Sequence, residues 1–248
     1  LLNSLTANGA KGVVANIPYV TSIPFFKTVP YNPANLSSAL VSALNSGYAT
    51  YNGGIQVALT NNLITPQEAA RRTINFVVGQ NPVVIVDSYL TDLSGLGIPS
   101  YRQTTTEDLI VLSSAGVSAQ THLLAGNGTQ VPLSDAWVVS KDEILELKTA
   151  TDAFNASIQS LASSKGLAFV DANAVLNQVA TTGISGNGFT LTSTFVTGGA
   201  FSLDGVHPSP RGYALIANKF LEAINAKYGS NFKGVSYGDY RILFPAQL

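Results

Sequence analysis

The chain has 248 residues, 46% of them hydrophobic and 11% charged, which suits a globular α/β body with a sizeable core and excludes a disordered one. A formal charge of −1 offers no basic field for a phosphate polymer and no polybasic patch for a membrane surface, so nucleic acid is not an expected partner. The absence of cysteine removes disulfides, thiol nucleophiles and thiolate metal sites, and no run of about 18 apolar residues is present to span a bilayer.

Taken in chain order, residues 1–8 read as a helix end and residues 11–17 as a short, fully buried parallel strand with its carboxyl edge at Asn16-Ile17-Pro18. Functional groups of α/β sheets gather at such edges. Residues 19–135 read as an insertion or cap-like region. Within it stand Pro24, Pro30 and Pro33, a helical stretch over 36–44, and Thr65-Pro66-Gln67-Glu68, a helix start with its cap. Residues 74–78 and 83–86 are strand-like on either side of Gly79-Gln80-Asn81-Pro82 and predict a hairpin. Tyr19, Phe25, Phe26, Tyr31, Tyr48 and Tyr51 are candidates to line an acyl or sugar pocket, but core or interface packing is the favoured reading and no site role is assigned to them.

The core resumes at Ser140-Lys141-Asp142-Glu143, a capping box; Leu147, Ala150, Phe154, Ile158 and Leu161 then share one helical face, and Gly166 stops the helix. Residues 167–170 predict a buried strand, and 189–193 with 194–197 a small β element. This alternation predicts an α/β fold, a three-layer α/β/α sandwich around a mostly parallel sheet. The expected organisation is one domain: core strand 1–18, insertion 19–135, core 136–228 and C-terminal tail 229–248.

Chemistry concentrates in Phe201-Ser202-Leu203-Asp204-Gly205-Val206-His207-Pro208-Ser209-Pro210, which places a carboxylate three residues before one of only two histidines. Ser209 is a helix N-cap and Pro210 a first helical residue, and Tyr213, Ile216, Phe220 and Ile224 follow at helical spacing, so a packed helix holds the loop. A hydroxyl nucleophile must lose its proton as it attacks, and a neutral imidazole accepts one near pH 7. A carboxylate bonded to the other ring nitrogen would orient that imidazole and stabilise the imidazolium. The second histidine, His122, stands alone in Gln120-Thr121-His122-Leu123-Leu124 and reads as structural; no ligand set at metal spacing accompanies it, and no cofactor is expected.

At these residues the chain resembles the SGNH or GDSL-type hydrolases, whose last motif is Asp-x-x-His-Pro before a C-terminal helix. Gly12-Val13-Val14-Ala15-Asn16-Ile17-Pro18, Ser100-Tyr101-Arg102-Gln103, Val131-Pro132-Leu133-Ser134-Asp135 and Tyr240-Arg241-Ile242-Leu243-Phe244-Pro245 extend the likeness to an envelope-associated bacterial branch of lipase-like proteins. The resemblance implies a flavodoxin-like three-layer fold and an extracytoplasmic protein, periplasmic, outer-membrane-associated or secreted. It also implies a serine ester hydrolase working through an acyl-enzyme, with Asp204 as acid and His207 as base.

The family's nucleophilic Ser stands in an N-terminal Gly-Asp-Ser or Gly-Asn-Ser block, followed by a Gly and by Gly-x-Asn-Asp, and these blocks also supply the oxyanion donors. None of the three is in this chain. Two internal serines imitate the first block. Ser4, in Leu2-Asn3-Ser4-Leu5-Thr6-Ala7, precedes a strand where the family's serine follows one. Ser88, in Val84-Ile85-Val86-Asp87-Ser88-Tyr89-Leu90, ends an apolar run and keeps the order Ser, Asp, His, but Gly116-Val117-Ser118-Ala119 beyond it holds neither Asn nor Asp. A chain opening Leu1-Leu2, as if within a helix, is therefore expected to be the C-terminal portion of a longer polypeptide. That polypeptide would carry the N-terminal strands and the nucleophile, and the portion alone would be inactive. The alternative is a noncatalytic carbohydrate- or lipid-binding envelope protein that keeps the fold. Small-molecule, lipid and glycan esters are all compatible with the motif, which says nothing of oligomeric state.

Overall fold

The structure, a computed structural model, describes residues 2–112 and 126–241; His122 and Gly116-Val117-Ser118-Ala119 lie outside them. In chain order the elements are α1 (Leu2–Leu5), β1 (Val13–Ala15), α2 (Pro24–Lys27), β2 (Ala34–Leu36), α3 (Ser38–Thr60), α4 (Pro66–Arg72), β3 (Gly79–Asn81), β4 (Val84–Val86), β5 (Tyr101–Gln103), β6 (Leu109–Ile110), β7 (Val138–Val139), α5 (Lys141–Ser164), β8 (Ala168–Val170), α6 (Ala172–Thr181), β9 (Ile184–Gly186), β10 (Phe189–Leu191) and α7 (Pro210–Tyr228). The protein is mixed α/β. Among the described residues its strands pair two by two, β1 with β8 in parallel and the other four pairs antiparallel, where the sequence predicts a mostly parallel sheet.

Two compact units emerge, residues 1–28 with 145–248 and residues 29–144. The intervening unit thus begins and ends later than the expected insertion at 19–135. Local chemistry starts the helices. The Thr65 hydroxyl accepts from the Glu68 N–H at 3.1 Å ahead of Pro66. Ser140 and Glu143 form the capping box reciprocally, the Ser140 N–H donating to the Glu143 carboxylate at 2.7 Å and the Glu143 N–H to the Ser140 hydroxyl at 3.3 Å. The helical stretch read at 36–44 divides into β2 and a much longer α3.

Unit 29–144 packs Tyr48, Ile74, Phe76, Val83, Ile85 and Ile110 into its main core. The expected hairpin over 74–86 does not form. Asn45 bonds both the N–H and the C=O of Phe76, at 2.9 Å each, and Asn52 does the same for Ile74 at 3.0 and 2.8 Å, so these backbone groups belong to α3 and not to a strand ladder. The expected turn at 79–81 is itself β3, paired with β2, while β4 pairs with β5. Leu133 adds a bridge beside β4: its N–H donates to the Val84 carbonyl, and the Val86 N–H donates to the Leu133 carbonyl, each at 2.9 Å.

In the other unit, β1 and β8 run in register from Val13 opposite Ala168 to Ala15 opposite Val170. Helix α7 packs on β8, and the Tyr228 hydroxyl donates to the Gly12 carbonyl at 2.7 Å. Strand β1 is half-buried rather than fully buried, since among the described residues nothing pairs with its second edge. The helical face expected to face the core is also exposed: Phe154 stands 58% exposed, with Leu147 and Leu161 likewise open, and Ala162 is the buried residue of α5. Residues 189–191 do enter a hairpin with β9, whereas 194–197 form a turn.

Candidate active site

The loop ahead of α7 is fixed from both sides. On the helix side, the Ser209 hydroxyl accepts from the Gly212 N–H at 3.0 Å and donates to the Gly199 carbonyl at 2.5 Å, and the Ser209 N–H reaches the Ala200 carbonyl at 2.9 Å. Gly212 permits this approach, because a Cβ there would stand 2.1 Å from the Ala200 oxygen. On the loop side, the Ser202 N–H donates to the His207 carbonyl at 2.8 Å, and the Gly205 N–H to the Ser202 carbonyl at 3.1 Å. Gly205 takes φ +72°, which glycine adopts without a Cβ penalty. Its carbonyl accepts from the Phe25 N–H at 2.9 Å, tying the turn to α2.

This closed turn brings Asp204 and His207 together. Asp204 Oδ2 lies 2.6 Å from His207 Nδ1. Asp204 Oδ1 accepts three further bonds, from the Ser202 hydroxyl at 2.6 Å, the Val206 N–H at 2.8 Å and the His207 N–H at 3.0 Å. Partial desolvation pushes the Asp204 carboxyl up, but the Ser202 hydroxyl, the His207 ring and the two backbone donors together hold it well below the usual carboxylate range. An ionised Asp204 only accepts, so the bonded Nδ1 carries a proton, and in the neutral imidazole the lone pair is then on Nε2. The imidazole is 71% exposed and Asp204 43%. Among the described residues no hydroxyl is bonded to Nε2.

The two imitation serines lie elsewhere in the chain. Ser4 belongs to the four-residue α1, ahead of β1 rather than after a strand. Ser88 is on an exposed turn of unit 29–144 following β4. Its neighbour Asp87, which makes the segment look like a nucleophile block, is buried and committed to structure. The guanidinium of Arg102 bonds Asp87 through Nε and grips Asp108 through both terminal nitrogens at 2.7 Å. Burial works against the charges of Arg102 and Asp108, and their bonds more than offset it, holding Asp108 down and Arg102 up. Tyr48 and Tyr51 stack edge to face in the same unit, and burial together with Tyr101 and Tyr51 pushes the Tyr48 phenol up to about 12. Tyr19 contributes to a surface group with Asp152 and Lys148.

Sequence reading missed a cavity beside the dyad. A partly open cleft of about 350 Å³ lies between α6, α7, the carboxyl end of β8 and residues 18–23. Phe201, Val206 and Pro208, the sequence neighbours of Asp204 and His207, line it together with Val175, Leu176 and Val179 of α6 and Leu215, Ile216 and Phe220 of α7. Lys219 is the one charged lining residue, and its ammonium is paired with Glu222 at 2.8 Å. Four separate stretches build the cavity, so no local motif marks it. Among the described residues no cluster of His, Asp and Glu has the geometry to hold a metal ion, and no helix is long and apolar enough to cross a membrane. Comparison with protein-family models, curated proteins and solved structures gives no match to this chain.

Proposed function

We propose that this chain is the C-terminal portion of an SGNH-type serine ester hydrolase, contributing Asp204 and His207 to a nucleophile and oxyanion donors carried upstream in a longer polypeptide. The observation that carries the reading is the 2.6 Å contact between Asp204 Oδ2 and His207 Nδ1, with Asp204 held by three other donors and the imidazole exposed. Nε2 takes the serine proton as the hydroxyl attacks the ester carbonyl, and Asp204 stabilises the imidazolium so formed. His207 then protonates the leaving alcohol, and a water activated by the same nitrogen releases the acid from the acyl-enzyme. In this reading the complete fold is a three-layer α/β/α sandwich. Further parallel strands continue the sheet from the free edge of β1, and the exposed Leu147, Phe154 and Leu161 face of α5 is covered by them. A dyad as exposed as this one also calls for additional protein to exclude water during reaction.

The test is turnover of a short-chain chromogenic ester by the longest natural polypeptide containing this chain. His207→Ala is expected to lower kcat by about 10²- to 10⁴-fold, the usual contribution of a general base. A fluorophosphonate probe should label a serine upstream of Leu1; labelling of Ser88 would move the nucleophile into this chain. Unchanged turnover in His207→Ala would falsify the assignment. A polypeptide with no upstream serine block and no turnover is the outcome expected of a noncatalytic carbohydrate- or lipid-binding relative.

A further inference from the structure

The cavity beside the dyad discriminates between classes of ester, and this inference rests on the hydrolase reading. We infer that it is an acyl pocket, and that the substrate is an ester of an unbranched aliphatic acid well beyond acetate in length. The lining carries a single charged side chain, Lys219, already paired with Glu222. A sugar placed there would leave hydroxyl groups without partners, at a cost that repeats with each group. An alkyl chain asks only for apolar contact, which Val175, Leu176 and Ile216 provide. An acetyl group would leave most of the 350 Å³ empty and forfeit the dispersion contacts of the walls. Val206 and Pro208, which flank His207 in sequence, line the cavity, so it lies next to the loop that carries the dyad. The cavity differs from the open face of α5 in already having walls from four segments of one unit.

Binding and turnover separate the two readings. Butyrate, hexanoate, octanoate and decanoate are titrated calorimetrically into the longest natural polypeptide, and p-nitrophenyl esters of the same acids are assayed in parallel. The dissociation constant is expected to fall by about fourfold per added methylene until the cavity is full, the fold-change equivalent to burying one CH₂. Ile216→Trp, at a position 37% exposed in the parent, should weaken decanoate more than butyrate, and Val175→Trp should do the same from the α6 side. Affinity independent of chain length, or insensitive to both tryptophans in variants with the parent's circular dichroism, overturns the pocket. The same holds if upstream residues fill it and decanoate does not bind. Turnover without chain-length dependence rejects the acyl pocket and leaves the hydrolase standing. Graded binding without turnover of any ester rejects the hydrolase and retains the site as one for aliphatic chains.

Discussion

At the scale of single residues the molecule turns on Ser202, which no pattern in the sequence marks. Its backbone closes the turn through His207 and Gly205, and its hydroxyl occupies Asp204 Oδ1, leaving Oδ2 to face the imidazole. Under the hydrolase proposal Ser202 is thus a positioning residue acting through Asp204. In Ser202→Ala the Asp204 carboxyl is expected to titrate closer to the usual carboxylate range, read from the carboxyl carbon by NMR, and, under the hydrolase proposal, ester turnover by the longest natural polypeptide to drop about tenfold. The stability consequence has a definite sign. A carboxyl held down by folding stabilises the native state above about pH 4 and loses that contribution as pH falls towards its depressed folded value. Ser202→Ala should therefore be less stable than the parent at pH 7, and the two should converge in acid.

At the scale of elements, helices α3, α5 and α7 share a device: an asparagine amide that bonds both backbone groups of one residue in an extended segment. Asn45 and Asn52 hold Phe76 and Ile74, Asn155 holds Ile17, and Asn218 and Asn225 hold Val235 and Phe232. The clamp substitutes for a neighbouring strand, and its importance depends on what replaces it. Phe76 is 1% exposed, so Asn45→Ala strands a buried donor and acceptor and should cost at least about 1–3 kcal/mol in denaturant unfolding. Phe232 is open to water, which re-forms the lost bonds, so Asn225→Ala should cost well under about 1 kcal/mol. Equal costs at the two sites would contradict this account. None of the clamps was legible in the sequence, because each joins a helix to a segment whose register is set by packing. The capping box at Ser140 and Glu143 and the cap at Ser209 were legible, because donor and acceptor lie within one turn.

At the scale of the whole molecule, unit 29–144 has its own cores and its own buried charge cluster. Arg102 holds Asp87 and Asp108 in a setting with almost no solvent, and removing this cation takes away the ion-pair partner of Asp108 and leaves Asp87 with only the more distant, partly exposed Arg71 at 3.5 Å. Arg102→Met is expected to destabilise this unit by about 3–5 kcal/mol. The fluorescence of Trp137, the chain's sole tryptophan, which packs against that core, reports the change. A shift below about 1 kcal/mol would mean that the cluster relaxes or admits water. The same cluster explains why Asp87-Ser88 imitates a catalytic block: its aspartate serves the fold of this unit, and Ser88 is the exposed turn residue that follows.

Sequence alone determined what is local: the helix starts capped by Thr65, Ser140 and Ser209, the α/β character, and the Asp204-x-x-His207 spacing, which a short turn converts into contact whatever surrounds it. Tertiary structure decided what depends on distant partners. It placed residues 74–76 against α3 instead of in a hairpin, left the α5 stripe uncovered, and assembled an apolar cavity beside His207 from segments far apart in the chain. Periodicity shows which face of a helix is apolar, but burial requires a second surface, and that surface belongs to the packing.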